Sequence, residues 1–84
     1  MIEITYRHHG QRPQRTEIVR SDANDATILP SSFEVVGVRY DDPELVLLVE
    51  VSSGSISDDV ADSIAAAFES HWGGSIDHID TTTV

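Results

Sequence analysis

The segment Glu44–Val51 reads ELVLLVEV, and its apolar side chains fall on both sides of an extended backbone. Successive residues of a strand point to opposite faces. Leu45, Leu47, Val49 and Val51 therefore share one face, while Val46 and Leu48 lie on the other. A strand apolar on both faces is usually central in its sheet and covered twice. This chain has to supply that cover from 84 residues, with no cysteine for a disulfide or a thiolate metal site. That length corresponds to one domain, residues 1–84, with room for a single hydrophobic core.

The neighbouring segments read as partners for this strand. Residues 33–40 are strongly strand-like, with Val36, Val38 and Tyr40 on one side and Val35 turned the other way with Val46 and Leu48. Asp41, Asp42 and Pro43 are turn residues, because Asp bonds the local backbone and Pro presets φ. The two segments are expected to form a hairpin. Upstream, Ile2, Ile4 and Tyr6 alternate with Glu3, Thr5 and Arg7, the period of a half-buried strand. Residues 8–14 contain Gly10 and Pro13 and read as a loop. Residues 16–20, with Ile18 and Val19, read as a second strand closing a first hairpin. Residues 21–32 read as a loop with one helical turn around 22–27, and Ile28 and Leu29 tuck under the core.

One helix is written plainly. Ser57 is a good N-cap, and Asp58, Asp59 and Asp62 suit the positive end of the helix dipole. Val60, Ile64, Ala67, Phe68 and His71 follow a helical stripe. Gly73 and Gly74 end the helix. Residues 75–84 alternate weakly and end in threonines, which suits a strand. The expected fold is α+β: a β-β-β-β-α-β chain forming an antiparallel four- to five-stranded sheet with one amphipathic helix on one face. One helix covers only one face of a sheet. Val35, Val46 and Leu48 are therefore expected between the subunits of a homodimer, or else a sheet edge pairs across a two-fold axis.

Charge bounds the surroundings more than the task. Fifteen Asp and Glu face five Arg and no Lys, a formal charge of −10. Such a surface repels itself in dilute buffer and stays hydrated in concentrated salt, where screening shrinks to a few ångströms. A halophilic, cytoplasmic, soluble protein is expected. The opening MIEITYR lacks the features of a signal peptide, and the apolar run 45–49 is too short to span a bilayer, so no membrane partner is expected.

The cations are concentrated at one end. Residues 1–20 hold Arg7, Arg12, Arg15 and Arg20 against Glu3 and Glu17, whereas the remainder holds only Arg39 against thirteen acids. Arg7, His8, His9, Arg12, Arg15 and Arg20 are the candidate binding residues. Gathered around one loop, they would suit a phosphate, a carboxylate or an RNA backbone. No aromatic residue interleaves with the arginines to stack on bases. The plainer expectation is that they sit against the chain's own acids.

Catalytic and metal chemistry find little support. No two histidines have the i, i+4 spacing of a helical zinc pair, and the acids near residue 58 lack the alternating pattern of a calcium loop. There is no serine elbow, phosphate loop or dinucleotide fingerprint. No catalytic residue, metal site or cofactor is expected. The leading expectation is a non-enzymatic interaction or regulatory module with a protein partner. A nucleotide or nucleic-acid binder using the Arg-rich segment is the first alternative, and an acidic nucleic-acid mimic or inhibitor is the second.

Overall fold

A computed structural model describes residues 1–10, 14–25, 33–41, 43–52 and 57–83. In chain order these form β1 (Ile2–His9), α1 (Thr16–Asn24), β2 (Phe33–Asp41), β3 (Glu44–Val51), α2 (Asp58–Trp72) and β4 (Ser75–Thr83). The four strands make one sheet in the order β2-β3-β1-β4, with every neighbouring pair antiparallel. β1 and β2 thus run parallel with β3 between them, and β3 and β4 run parallel with β1 between them. The chain is two interleaved β-α-β units, the split arrangement called ferredoxin-like. The α+β class and the antiparallel four-stranded sheet agree with the sequence. Arg12, Ile28 and Leu29 fall outside the described residues.

The element order differs in one place. Residues 16–20 open a helix, not a strand. Val19 and Ala23 are fully buried four residues apart, one helical turn, while Ile18 is 44% exposed. The adjacent β-branched pair Ile18 and Val19 suggests a strand. A strand would set Val19, Ser21 and Ala23 on one face, but Ser21 is exposed, so the two buried residues lie one helical turn apart. Two helices therefore share the work expected of one. They cover the same face: Val19, Ala23, Ala61, Ile64, Ala65 and Phe68 join Ile2, Ile4, Tyr6, Leu45, Leu47 and Val49 in one core. The Trp72 indole N–H donates to Asp22 at 2.8 Å and ties α2 to α1, while its ring stacks on Phe68 at 4.2 Å.

α2 begins and ends as its residues dictate. The Ser57 hydroxyl oxygen accepts from the Val60 N–H at 3.4 Å, and Gly73 N–H donates to the Glu69 carbonyl at 3.0 Å. Gly73 and Gly74 both have positive φ, +74° and +83°. Gly74 is also a close approach, since a Cβ there would collide with the His9 carbonyl oxygen. The helical stripe is rotated slightly from the expected one: Ala61 and Ala65 are buried and His71 is exposed.

Two bulges set which side chains face the helices. On β2, Val35 opposes Val49 and Gly37 opposes Leu48, leaving Val36 as an extra residue. On β4, Asp80 opposes Thr5 and His78 opposes Tyr6, leaving Ile79 extra. A bulge shifts the alternation by one residue. Val35 consequently lies in the core together with Val38 and Tyr40, not beside Val46 and Leu48.

Candidate protein-interaction face

Both helices lie on one face of the sheet, and among the described residues the second face is bare. Register places its residues in rows across the four strands. One row runs Asp41, Glu44, Arg7 and Asp77. The next runs Arg39, Val46, Thr5 and Asp80, and the third Gly37, Leu48, Glu3 and Thr82. Glu34 and Glu50 complete it. Seven carboxylates and two guanidinium groups thus stand on a rigid lattice, about 7 Å apart along a strand and about 5 Å apart across strands. Val46 is 4% exposed among its cross-strand neighbours, and Leu48 is half-buried. A Cβ at Gly37 would meet Leu48 Cδ1 at 3.1 Å, so a larger residue there requires the Leu48 side chain to shift.

Every aromatic side chain lies on the other side. Tyr6, Phe33 and Phe68 are in the core, and Tyr40 and Trp72 pack against it. The bare face therefore offers no Tyr, Phe or Trp ring for a base to stack on, and its net negative charge repels phosphates.

The sheet divides the cations singled out by sequence. Arg7 and His9 stand on the bare face, while Arg15 at the N-cap of α1 and Arg20 within it lie on the opposite side. His8 continues the helix side of β1 opposite Ile76. Arg7 meets Glu44 at 3.6 Å, His9 meets Asp77 at 3.3 Å, and Arg15 meets Glu17 at 3.0 Å. Arg20 lines an open groove of about 440 Å³ between α1 and β2. Arg20 and Arg39 have no ion pair or hydrogen bond among the described residues.

Two polar clusters were not legible from spacing. The Tyr6 hydroxyl, fully buried, donates to the Ala61 carbonyl of α2 at 2.7 Å. Burial, with the Asp62 carboxylate adding to it, pushes the Tyr6 phenol above its ordinary range. Beside it, His78 Nε2 shares a 2.7 Å hydrogen bond with Thr81 Oγ1, and Nδ1 lies 3.8 Å from Asp62. The order Thr, His, Asp resembles a nucleophile, a base and its orienter. The longer contact exceeds a hydrogen bond, and the open grooves beside β2 do not reach the cluster. It joins β4 to α2. The Ile79 bulge is what sets His78 and Thr81 on one face three residues apart. Among the described residues, no three His, Asp or Glu side chains converge on a metal position. Among the described residues, no helix is long and apolar enough to cross a membrane.

Compared with known proteins, the chain matches no family model, no curated protein and no solved structure.

Proposed function

We propose that the chain is a non-enzymatic protein-interaction module whose bare sheet face docks a basic partner. The observation that supports this is the lattice of seven carboxylates around Val46 and Leu48 on rigid strands. Charge complementarity of this kind steers encounter and selects partners more than it sets affinity. The same lattice suits a regulator that competes with nucleic acid for a basic surface. The acidity also favours a working solvent of concentrated salt in a cytoplasm, where the face stays hydrated.

A face-to-face homodimer is the rival use of this surface. It sets seven carboxylates against seven, so its salt dependence has the opposite sign. Screening weakens attraction to a basic partner and relieves repulsion between copies. Affinity capture over a range of salt, comparing wild type with Leu48→Glu and Ala66→Glu, tests the reading. Ala66 lies on the exposed side of α2 and controls for added charge. The expected result is a basic partner retained by wild type and Ala66→Glu, lost with Leu48→Glu, and bound less tightly as salt rises. Equal recovery by Leu48→Glu removes the face from the function. Competition by duplex DNA for the captured partner marks the regulatory version.

The nucleic-acid alternative rests on the Arg-rich segment. Anisotropy titration of labelled single-stranded RNA, with Arg7, Arg12 and Arg15 replaced together by Gln, tests it directly. Binding abolished by the triple replacement supports it, and unchanged binding removes the segment as the site.

A further inference from the structure

β2 is an edge strand, and its outer edge is bonded in an unusual way. Asn24 at the end of α1 donates from Nδ2 to the Val35 carbonyl at 3.1 Å and accepts at Oδ1 from the Val35 N–H at 2.8 Å. This is the donor and acceptor pair that a neighbouring strand would present. It also shows that the Val35 peptide groups point away from β3. Rungs of an antiparallel ladder alternate in direction, so residues opposite Val49 and Leu47 of β3 have the same orientation. Val38 opposes Leu47, and its N–H and C=O therefore point outward as well. By the same rule so do those of Phe33, opposite Val51, and Tyr40, opposite Leu45.

The outward residues Val35 and Val38 are three apart, because Val36 is the bulged residue. An ordinary strand meets that step with two residues, as Val49 and Leu47 of β3 do, and does not mirror it residue for residue. A strand bulged at the equivalent place can, and a second copy of this chain supplies one. Under a two-fold axis passing between Val36 and Gly37, Val35 of each copy meets Val38 of the other, and Phe33 meets Tyr40. Val35 and Val38 are both outward-facing, so each of the two symmetry-related Val35–Val38 pairs forms a hydrogen-bonded rung. The intervening residues then pair Glu34 with Arg39, twice by symmetry. Both side chains lie on the bare face of the sheet, and neither has an ion-pair partner among the described residues. β4 has no such complement, since its bare-face charges are Asp77 and Asp80 with no arginine in the strand.

We propose that the β2 edge is a self-recognition site at which a second copy pairs antiparallel in this register, with Asn24 occupying the Val35 rung until the partner strand replaces it. The two sheets join into one of eight strands. The open groove between α1 and β2 gives the incoming strand access. This is a symmetric interface in which residue i meets j and j meets i, built by strand addition. It fixes the register of the edge-paired homodimer and does not depend on the docking reading of the bare face.

Sedimentation velocity of the full chain, from micromolar to millimolar in dilute and in molar KCl, tests it. Wild type is expected to dimerise. Glu34→Arg and Arg39→Glu each bring like charges together twice and weaken the dimer by tenfold or more, on the order expected for opposed interface charges. The double variant Glu34→Arg with Arg39→Glu restores it. Asn24→Ala leaves the Val35 groups unpaired in the monomer alone and tightens the dimer. Leu48→Glu leaves it unchanged, which separates this test from that of the bare face. A wild-type chain monomeric throughout, or a dimer indifferent to the single charge reversals, overturns the proposal.

Discussion

The two faces of this sheet are made by the same strands and have opposite characters. On the helix side, Ile4, Tyr6, Leu45, Leu47 and Val49 are fully buried, and no charged residue lies among them. One residue along, on the bare side, stand Glu3, Arg7, Glu44 and Glu50, with Val46 and Leu48 between them. Dispersion and area burial govern the first face, and hydration and charge govern the second. A given change of side chain should therefore have a very different effect one position apart.

The sharpest contrast is between Leu47 and Leu48. Leu47→Ala removes a fully buried side chain and should cost about 2–5 kcal/mol. Leu48→Ala on the half-buried bare side should cost less than about 1.5 kcal/mol. Urea unfolding at a fixed molar salt concentration measures both, and equal losses would erase the distinction between the faces.

Gly74→Ala ranks next. It combines a positive φ with a collision against the His9 carbonyl where β4 passes β1. A loss of about 2 kcal/mol or more is expected. Gly73→Ala keeps the φ penalty without the collision, since nothing lies within 4 Å of its Cβ, and should cost less.

Tyr6 tests whether the covered face tolerates charge. Its phenol is held above its ordinary range by burial first and Asp62 second. The folded state therefore keeps a proton that the unfolded chain gives up. The stabilisation is fully present below the unfolded value of about 10 and is lost as pH rises above it, by up to about 1.4 kcal/mol per pH unit. Tyr6→Phe should remove that contribution to the alkaline slope. At neutral pH it should cost about 1 kcal/mol for the lost bond to the Ala61 carbonyl. Unfolding curves from neutral to alkaline pH show whether the slope follows Tyr6.

The smallest effect belongs to the bare face. Glu34 and Glu50 stand directly opposite each other on neighbouring strands. Like charges in such a pair are destabilising by about 0.2–1 kcal/mol. Glu50→Gln should stabilise the chain by that amount in dilute buffer and have no effect in molar salt, where screening removes the repulsion. Thermal unfolding at two salt concentrations reads it out, and a gain that persists in molar salt would mean that charge is not its cause.

Much of the covered face was legible in the chain. Ile2, Ile4 and Tyr6 alternate as a strand, Leu45, Leu47 and Val49 do the same, and the Ser57 cap and paired glycines bound α2 where they were expected. These signals are local. Over residues 16–20 the adjacent β-branched pair Ile18 and Val19 suits a strand, and only the exposure of Ser21 between buried Val19 and Ala23 shows the helical period of α1. Of the candidate binding residues, Arg7 and His9 came to one side of the sheet and Arg15 and Arg20 to the other. Closeness in sequence implied a shared loop. A strand and a helix on opposite sides of a sheet separate such residues.

The α+β class, the central doubly apolar strand, the capped helix and the acidity of the remaining surface all follow from the residue order alone. Each of these depends on the period or composition of a short segment. The tertiary structure alone decided where Val36 and Ile79 bulge, and so which residues of β2 and β4 face the helices. It also decided that both helices share one face and leave the acids arrayed on the other. Register is a pairing between distant segments, and one extra residue in a strand reverses every side chain beyond it.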